Sequence, residues 1–180
     1  MLTKEQVADA RTRTQRILAA AGIALTQEEQ AGIEVADFGL GQLEQIGLEI
    51  VTYVNNDRYC AKELVLFAGQ ICPEHRHPSV SGRPGKQETF RCRTGTVHLY
   101  VPGPRSAECR AVLPAGSEKH FTVFHCVTLE PGRQYTLTPD TLHWFQAGPA
   151  GAIVSEFSST SADDADIFTD PRIQRATKIA

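Results

Sequence analysis

Gly69-Gln70-Ile71-Cys72-Pro73-Glu74-His75-Arg76-His77 is the stretch that decides how this chain is read. Two histidines one residue apart point to the same face of an extended segment, about 7 Å apart at ~3.3 Å of rise per residue. Two imidazoles at that spacing can converge on one ion. A second run, Glu88-Thr89-Phe90-Arg91-Cys92, puts Glu88, Phe90 and Cys92 on one face, and Thr89, Arg91 and Arg93 on the other. A carboxylate that shares a face with Phe and Cys is buried, and a buried carboxylate needs a strong partner. A divalent metal is such a partner. A third run, Pro139-Asp140-Thr141-Leu142-His143-Trp144-Phe145, adds an imidazole in a strand-like setting. His75, His77, Glu88 and His143 are therefore the candidate metal ligands, a donor set suited to Mn, Fe, Co, Ni or Zn. His98, His120 and His125 stand outside these spacings and read as structural or surface groups. Cys72 is close in sequence, but its strand parity is opposite to that of His75 and His77, which sets it apart from the ligands.

Composition narrows the class. The 180 residues suffice for one domain with a full core, and 41% hydrophobic with 22% charged residues is the balance of a globular protein. A net charge of -3 and a pI near 6.1 give no reason to expect nucleic acid or an anionic membrane as a partner. No apolar run approaches the ~20 residues of a membrane span. The polar opening Met1-Leu2-Thr3-Lys4-Glu5-Gln6 has no signal-peptide core. Five cysteines, Cys60, Cys72, Cys92, Cys109 and Cys126, include no C-x-x-C pair, and reduced thiols in a cytoplasmic protein are expected.

The first 46 residues predict a helical arm. Thr3 with Gln6, and Thr26 with Glu29, are capping boxes, and Val7, Ala10, Ile17 and Leu18 form a helical stripe. Residues 47–158 change character. Strand-like runs over 47–54, 59–67, 88–93, 96–101, 121–129, 134–138, 142–146 and 151–157 are separated by turn signals such as Asn55-Asn56-Asp57, Pro131-Gly132 and Gly148-Pro149. Many short strands with regular turns predict an all-β sandwich or barrel. Residues 159–180 are polar and Asp-rich. They are either a solvated tail or a segment folded over the site and tied down by Ile167 and Phe168.

These ligands and strands resemble the cupin superfamily. Gly69-x5-His75-x-His77, followed by Glu88-x6-Gly95, resembles the first cupin motif, and Gly132-x6-Pro139-x3-His143 the second. The ten residues between His77 and Glu88 are a longer insert than cupins usually carry. That insert, ending Gly85-Lys86-Gln87-Glu88, resembles the D-lyxose isomerase family. So do Asn56-Asp57-Arg58-Tyr59-Cys60-Ala61-Lys62, Pro73-Glu74-His75-Arg76-His77-Pro78, His143-Trp144-Phe145-Gln146-Ala147-Gly148 and Asp166-Ile167-Phe168-Thr169-Asp170-Pro171-Arg172. The resemblance implies a cupin-type β-barrel (jelly roll) that binds one Mn2+ per chain and forms a homodimer. It also implies interconversion of D-lyxose and D-xylulose, often with D-mannose and D-fructose.

Aldose–ketose isomerisation moves a proton between C1 and C2 of a sugar, through an enediol that carries charge. Four protein ligands leave positions open on an octahedral ion, as Lewis-acid catalysis requires. Glu156, in the partly apolar run Gly151-Ala152-Ile153-Val154-Ser155-Glu156-Phe157, is the candidate base, set against a structural salt bridge. Lys62 and Lys86 are the cationic candidates. Either would stabilise oxyanion charge or shuttle a proton, and for each a structural ion pair, such as Lys62 with Glu63 or Glu74, is the competing reading. Asp166 and Arg172 are candidates for sugar hydroxyls or for holding the tail closed. Two other functions compete: an Fe(II)-dependent cupin oxygenase, and a cupin that holds metal or sugar without turnover. The charged groups around the ligands favour proton transfer on a polyhydroxylated substrate over oxygen chemistry, and a binder has no need of a base.

Overall fold

The computed structural model describes residues 1–108 and 111–180; Cys109 lies outside them. Cys60, Cys72 and Cys92 are buried free thiols. Both helices of the arm start at the expected caps. In α1 (Lys4–Ala20) the Thr3 hydroxyl accepts from the Gln6 N–H, and the Gln6 side chain accepts from the Thr3 N–H. Thr26 and Glu29 cap α2 (Gln27–Gly32) in the same way. The buried stripe of α1, Val7, Ala10, Thr14 and Leu18, follows helical spacing. Leu18 packs with Ile33, Val51, Val65 and Ile153 on the outer face of the sheet.

Among the described residues, nine antiparallel strands make one curled, barrel-like sheet: β1 (Glu34–Ala36), β2 (Leu48–Asn55), β3 (Cys60–Leu66), β4 (Ile71–Arg76), β5 (Glu88–Val101), β6 (His125–Leu129), β7 (Gln134–Leu137), β8 (His143–Ser158) and β9 (Ile167–Phe168). The main path runs β1-β2-β3-β8-β4-β9, and β5 pairs with β6, β7 and β8. The largest apolar cluster fills the interior and includes Ile50, Leu64, Phe90, Leu99, Phe145 and Val154. Among the described residues no helix is long and apolar enough to cross a membrane.

Three departures from the sequence reading have physical causes. Runs 88–93 and 96–101 are one strand, and so are 142–146 and 151–157. Bulges absorb the turn signals: Val97 pairs with Ala147 and Gly95 with Ala152, so residues 148–151 stand opposite Thr96 alone, where Pro149 loses no ladder bond. The expected strand at 121–129 begins only at His125. The Glu74 carboxylate takes the N–H groups of Thr122 and Val123, at 2.6 and 3.0 Å, and diverts them from the sheet. Finally, β4 and β8 slip register between Cys72 and His75. Parity fails across that slip, and Cys72 lines the same cavity as His75 and His77.

Candidate active site and metal centre

Adjacent strands bring the candidate ligands together. β4 supplies His75, and His77 follows it; His143 opens β8 in register with His75; Glu88 opens β5. One ring nitrogen from each histidine lies within 4.8 Å of the others. The remaining nitrogens fix the rings. Nδ1 of His75 faces the Pro73 carbonyl at 2.8 Å, and Nδ1 of His143 faces that of Thr141 at 2.9 Å. A carbonyl only accepts, so each Nδ1 carries a proton, and Nε2 is the nitrogen each ring offers to a ligand. The third ring, His77, is held by Asp166 Oδ1 at 2.5 Å from Nδ1.

Glu88 Oε1 sits 3.1 Å from His77 Nε2 and 3.0 Å from His143 Nε2. The buried His143 nitrogen faces that oxygen but lacks good hydrogen-bond geometry toward it. An orphaned imidazole nitrogen, two more rings and a carboxylate, all buried, fit a divalent ion of the Mn-to-Zn series. Burial works against charge on Glu88, but the Lys86 ammonium, helped by His143 and His77, holds its pKa well below the usual carboxylate range. Burial, with the neighbouring His143 and His77, pushes His75 well down, so its ring is neutral and ready to ligate. Burial opposes charge on His77 too, yet Asp166 and Glu88 raise it to about 9.

The insert between His77 and Glu88 delivers Lys86. It returns so tightly against His77 that a Cβ on Gly85 would lie 1.9 Å from the His77 carbonyl oxygen. Lys86 Nζ then bridges two carboxylates, Glu88 Oε2 at 2.7 Å and Glu156 Oε1 at 3.0 Å. Glu156 also accepts from Ser158 Oγ at 3.2 Å. It is buried in register with Lys62 of β3 on one side and Phe90 of β5 on the other.

The tail folds into this region. Lys62 pairs with Asp163 at 2.7 Å and donates to Ser161 Oγ at 3.2 Å, not to Glu63 or Glu74. β9 pairs with β4, and Asp163, Asp166, Phe168 and Arg175 line the cavity with Lys62, Lys86, Glu88 and Glu156. Asp166, a candidate for sugar hydroxyls or for holding the tail closed, lines the cavity and faces the His77 ring with its carboxylate. Arg172 is outside the cavity: its half-exposed guanidinium folds back on Asp170 at 2.6 Å and reaches Ser117. Ile167 is exposed, whereas Phe168 packs against His75. Cys72 reaches the cavity, but burial pushes its thiol well up, so it is a poor competitor for a metal. Sequence reasoning missed Phe38, Asp163 and Arg175, which no local spacing connects to the ligands.

The profile of a family described as D-lyxose isomerase matches residues 14–180. A protein of Thermosediminibacter oceani named D-lyxose/D-mannose isomerase is 60% identical over 179 residues, covering 99% of each chain. One of Cohnella laeviribosi named D-lyxose ketol-isomerase is 61% identical, covering 93% of this chain and 92% of the relative. Among solved structures, Cellulomonas parahominis L-ribose isomerase with L-ribose superposes with a TM-score of 0.82 at 17% identity, covering 99% of this chain and 98% of that one. At that identity the likeness speaks for the shared fold.

Proposed function

The chain belongs to the D-lyxose isomerase family, and from that premise we propose that it interconverts D-lyxose and D-xylulose, with D-mannose and D-fructose as a second pair. The observation that carries the reading is one cavity lined by the candidate ligands His75, His77 and Glu88, with His143 against Glu88 behind them, and by a buried carboxylate outside that set, Glu156. A binder needs the first and not the second. Mn2+ is the proposed resident ion. Held by His75, His77, Glu88 and His143, such an ion would supply Lewis-acid polarisation of the sugar oxygens.

Glu156 is the proposed base. It takes the proton from one carbon and returns it to the neighbouring one, from a single face. Lys86, 3.0 Å from Glu156 and 2.7 Å from Glu88, compensates charge as that proton moves and is placed to donate to a sugar oxygen. Asp166 orients the His77 ring. Lys62, steadied by Asp163, offers its ammonium to sugar hydroxyls together with Arg175. The proposed assembly is a homodimer in the cytoplasm.

The test is turnover. Metal-reconstituted protein is incubated with D-lyxose, D-xylulose, D-mannose and D-fructose, and product formation is followed. Interconversion within each pair supports the reading, and no turnover of any of the four ends it.

A further inference from the structure

Phe38 carries a conformation that bulky residues avoid. Its φ is 52°, in the left-handed region, where glycine sits without strain and an aromatic residue does not. Strain of this kind persists only where surrounding contacts impose it, and it concentrates at binding sites. Here the contacts are plain. The Asp37 carboxylate accepts from the N–H groups of Gly39 and Gly41, at 3.0 and 3.2 Å. The Asp37 N–H donates to Thr177 Oγ1 at 3.1 Å, and the Phe38 carbonyl accepts from the Gln174 N–H at 2.9 Å. The turn is thus clamped to the tail on both sides of Phe38.

What this clamp presents is a ring in the cavity. The sheet path begins at β1 and ends at β9, and those two strands do not pair with each other. Phe38 follows β1 and Phe168 lies in β9, so the two rings, 5.7 Å apart, close the seam between the sheet's ends. Both line the cavity. Phe168 in turn lies 5.4 Å from the ring of His75. The groups proposed to act on C1 and C2, Glu156 and Lys86, belong to β8 and to the residues entering β5. A sugar whose reacting carbons lie at Glu156 and Lys86 directs its remaining carbons away from β8, which sits mid-path in the sheet, and toward the seam between its ends. The rings at the seam offer that end an apolar wall with no hydrogen-bonding group.

We propose that Phe38, backed by Phe168, is the chain-length gauge of this cavity, the wall at which the last carbon of a five-carbon aldose stops and which disfavours a sixth. The proposal rests on the sugar-isomerase reading and adds a specificity-determining residue to it. D-lyxose and D-mannose are the probe pair, because mannose is lyxose with one hydroxymethyl group added at C5 and the same configuration at C2 to C4. One extra carbon group against an apolar wall is worth roughly 10–200-fold in discrimination.

The experiment measures kcat and KM for both sugars in the wild type, Phe38→Gly and Phe38→Leu. Phe38→Gly removes the ring and the backbone strain together, while Phe38→Leu shortens the wall and keeps the core filled. The expected result is a rise of about tenfold or more in the mannose-to-lyxose ratio of kcat/KM for Phe38→Gly, with a smaller rise for Phe38→Leu. The change should lie mainly in KM, because the wall meets a carbon that does not react. A ratio that stays constant while both sugars lose equally makes Phe38 a core filler and overturns the proposal. So does a ratio that moves towards lyxose. Melting temperature and bound metal are recorded for each variant, and where Phe38→Gly fails to fold, Phe38→Leu decides. If the wild type turns over neither sugar, the proposed function falls separately. The gauge is then read by calorimetry with the corresponding pentitol and hexitol, whose affinity ratio must shift towards the hexitol in the variants or the gauge falls too.

Discussion

Glu88, inside the barrel, and Glu49, on the sheet face covered by α1, are both almost wholly buried, and they meet burial in opposite ways. Glu88 is surrounded by Lys86, His77 and His143, and its pKa is held well below the usual carboxylate range. Glu49 has one long hydrogen bond, 3.4 Å from Gln70 Nε2, and its second oxygen is unsatisfied. Burial, only partly offset by Gln70 and Arg13, pushes its pKa up to about 8. Burial alone therefore neutralises a carboxyl group. A buried carboxylate that stays charged among cations and imidazoles marks a site built to hold charge.

The contrast breaks most sharply at Glu88. Glu88→Ala or His77→Ala should lose bound metal and most activity together, a larger loss than the ~10–100-fold typical of removing an outer-shell partner. Elemental analysis beside the isomerase assay checks this. A variant that keeps full metal content removes that residue from the ligand set. Glu156 comes next. Glu156→Gln keeps the shape and a hydrogen-bonding group but deletes the base, so kcat should fall by roughly 10²–10⁴. Metal content and melting temperature should stay near wild type, and exchange of the substrate C2 proton with solvent deuterium should slow in parallel. Near-normal kcat and exchange would move the base to another residue. Loss of metal or of the fold would make Glu156 a structural salt bridge.

The two glutamates also show which parts of the site were legible in sequence. Glu88 could be read because it alternates with Phe90 and Cys92 on a strand, and because His75 and His77 repeat that parity. Lys62 and Glu156 were legible as charged groups in apolar runs, and Lys86 by its place two residues before Glu88, though Lys86 and Glu156 not as partners of each other. Glu49 gave no signal in its run of β-branched residues, since nothing in that run says that a helix covers it. Cys72 stays outside the histidine group, but not by strand parity, because a register slip lies between it and His75. Asp163, Arg175 and Phe38 enter through the tail and the turn after β1, and their positions depend on contacts more than 100 residues apart in the chain, such as Asp37 with Thr177. No local pattern encodes such contacts.

A smaller effect belongs to Asp166, whose carboxylate faces Nδ1 of the His77 ring. Asp166→Asn keeps an acceptor but removes the charge facing Nδ1, and should weaken metal affinity by about 10–100-fold. Competition with a chelator of known affinity measures it. Activity at saturating metal should recover most of the loss if Asp166 only orients the ring, whereas a defect that persists at saturating metal would return Asp166 to the sugar.

The smallest effect on activity, and the one that tests the comparison from its other side, is at Glu49. With its folded pKa raised to about 8, against an ordinary carboxylate near 4.5, Glu49 keeps a proton in the folded chain that the unfolded chain releases. The folded state binds more protons across that window, so stability falls as pH rises from about 4.5 through about 8. Glu49→Gln keeps the shape and cannot ionise. Relative to this variant, the wild type should be similar in stability near pH 4.5 and lose roughly 2–4 kcal/mol by pH 8.5, allowing for partial relaxation around the charge. Isomerase rates, measured well below the melting temperature, should differ little between the two proteins at either pH. Urea unfolding of both proteins at pH 4.5, 6.5 and 8.5 gives the comparison directly, because every other titrating group is shared and cancels in the difference. Parallel stability profiles would show that Glu49 finds a partner or water when it ionises. The two buried glutamates would then differ in degree of solvation and no longer in kind.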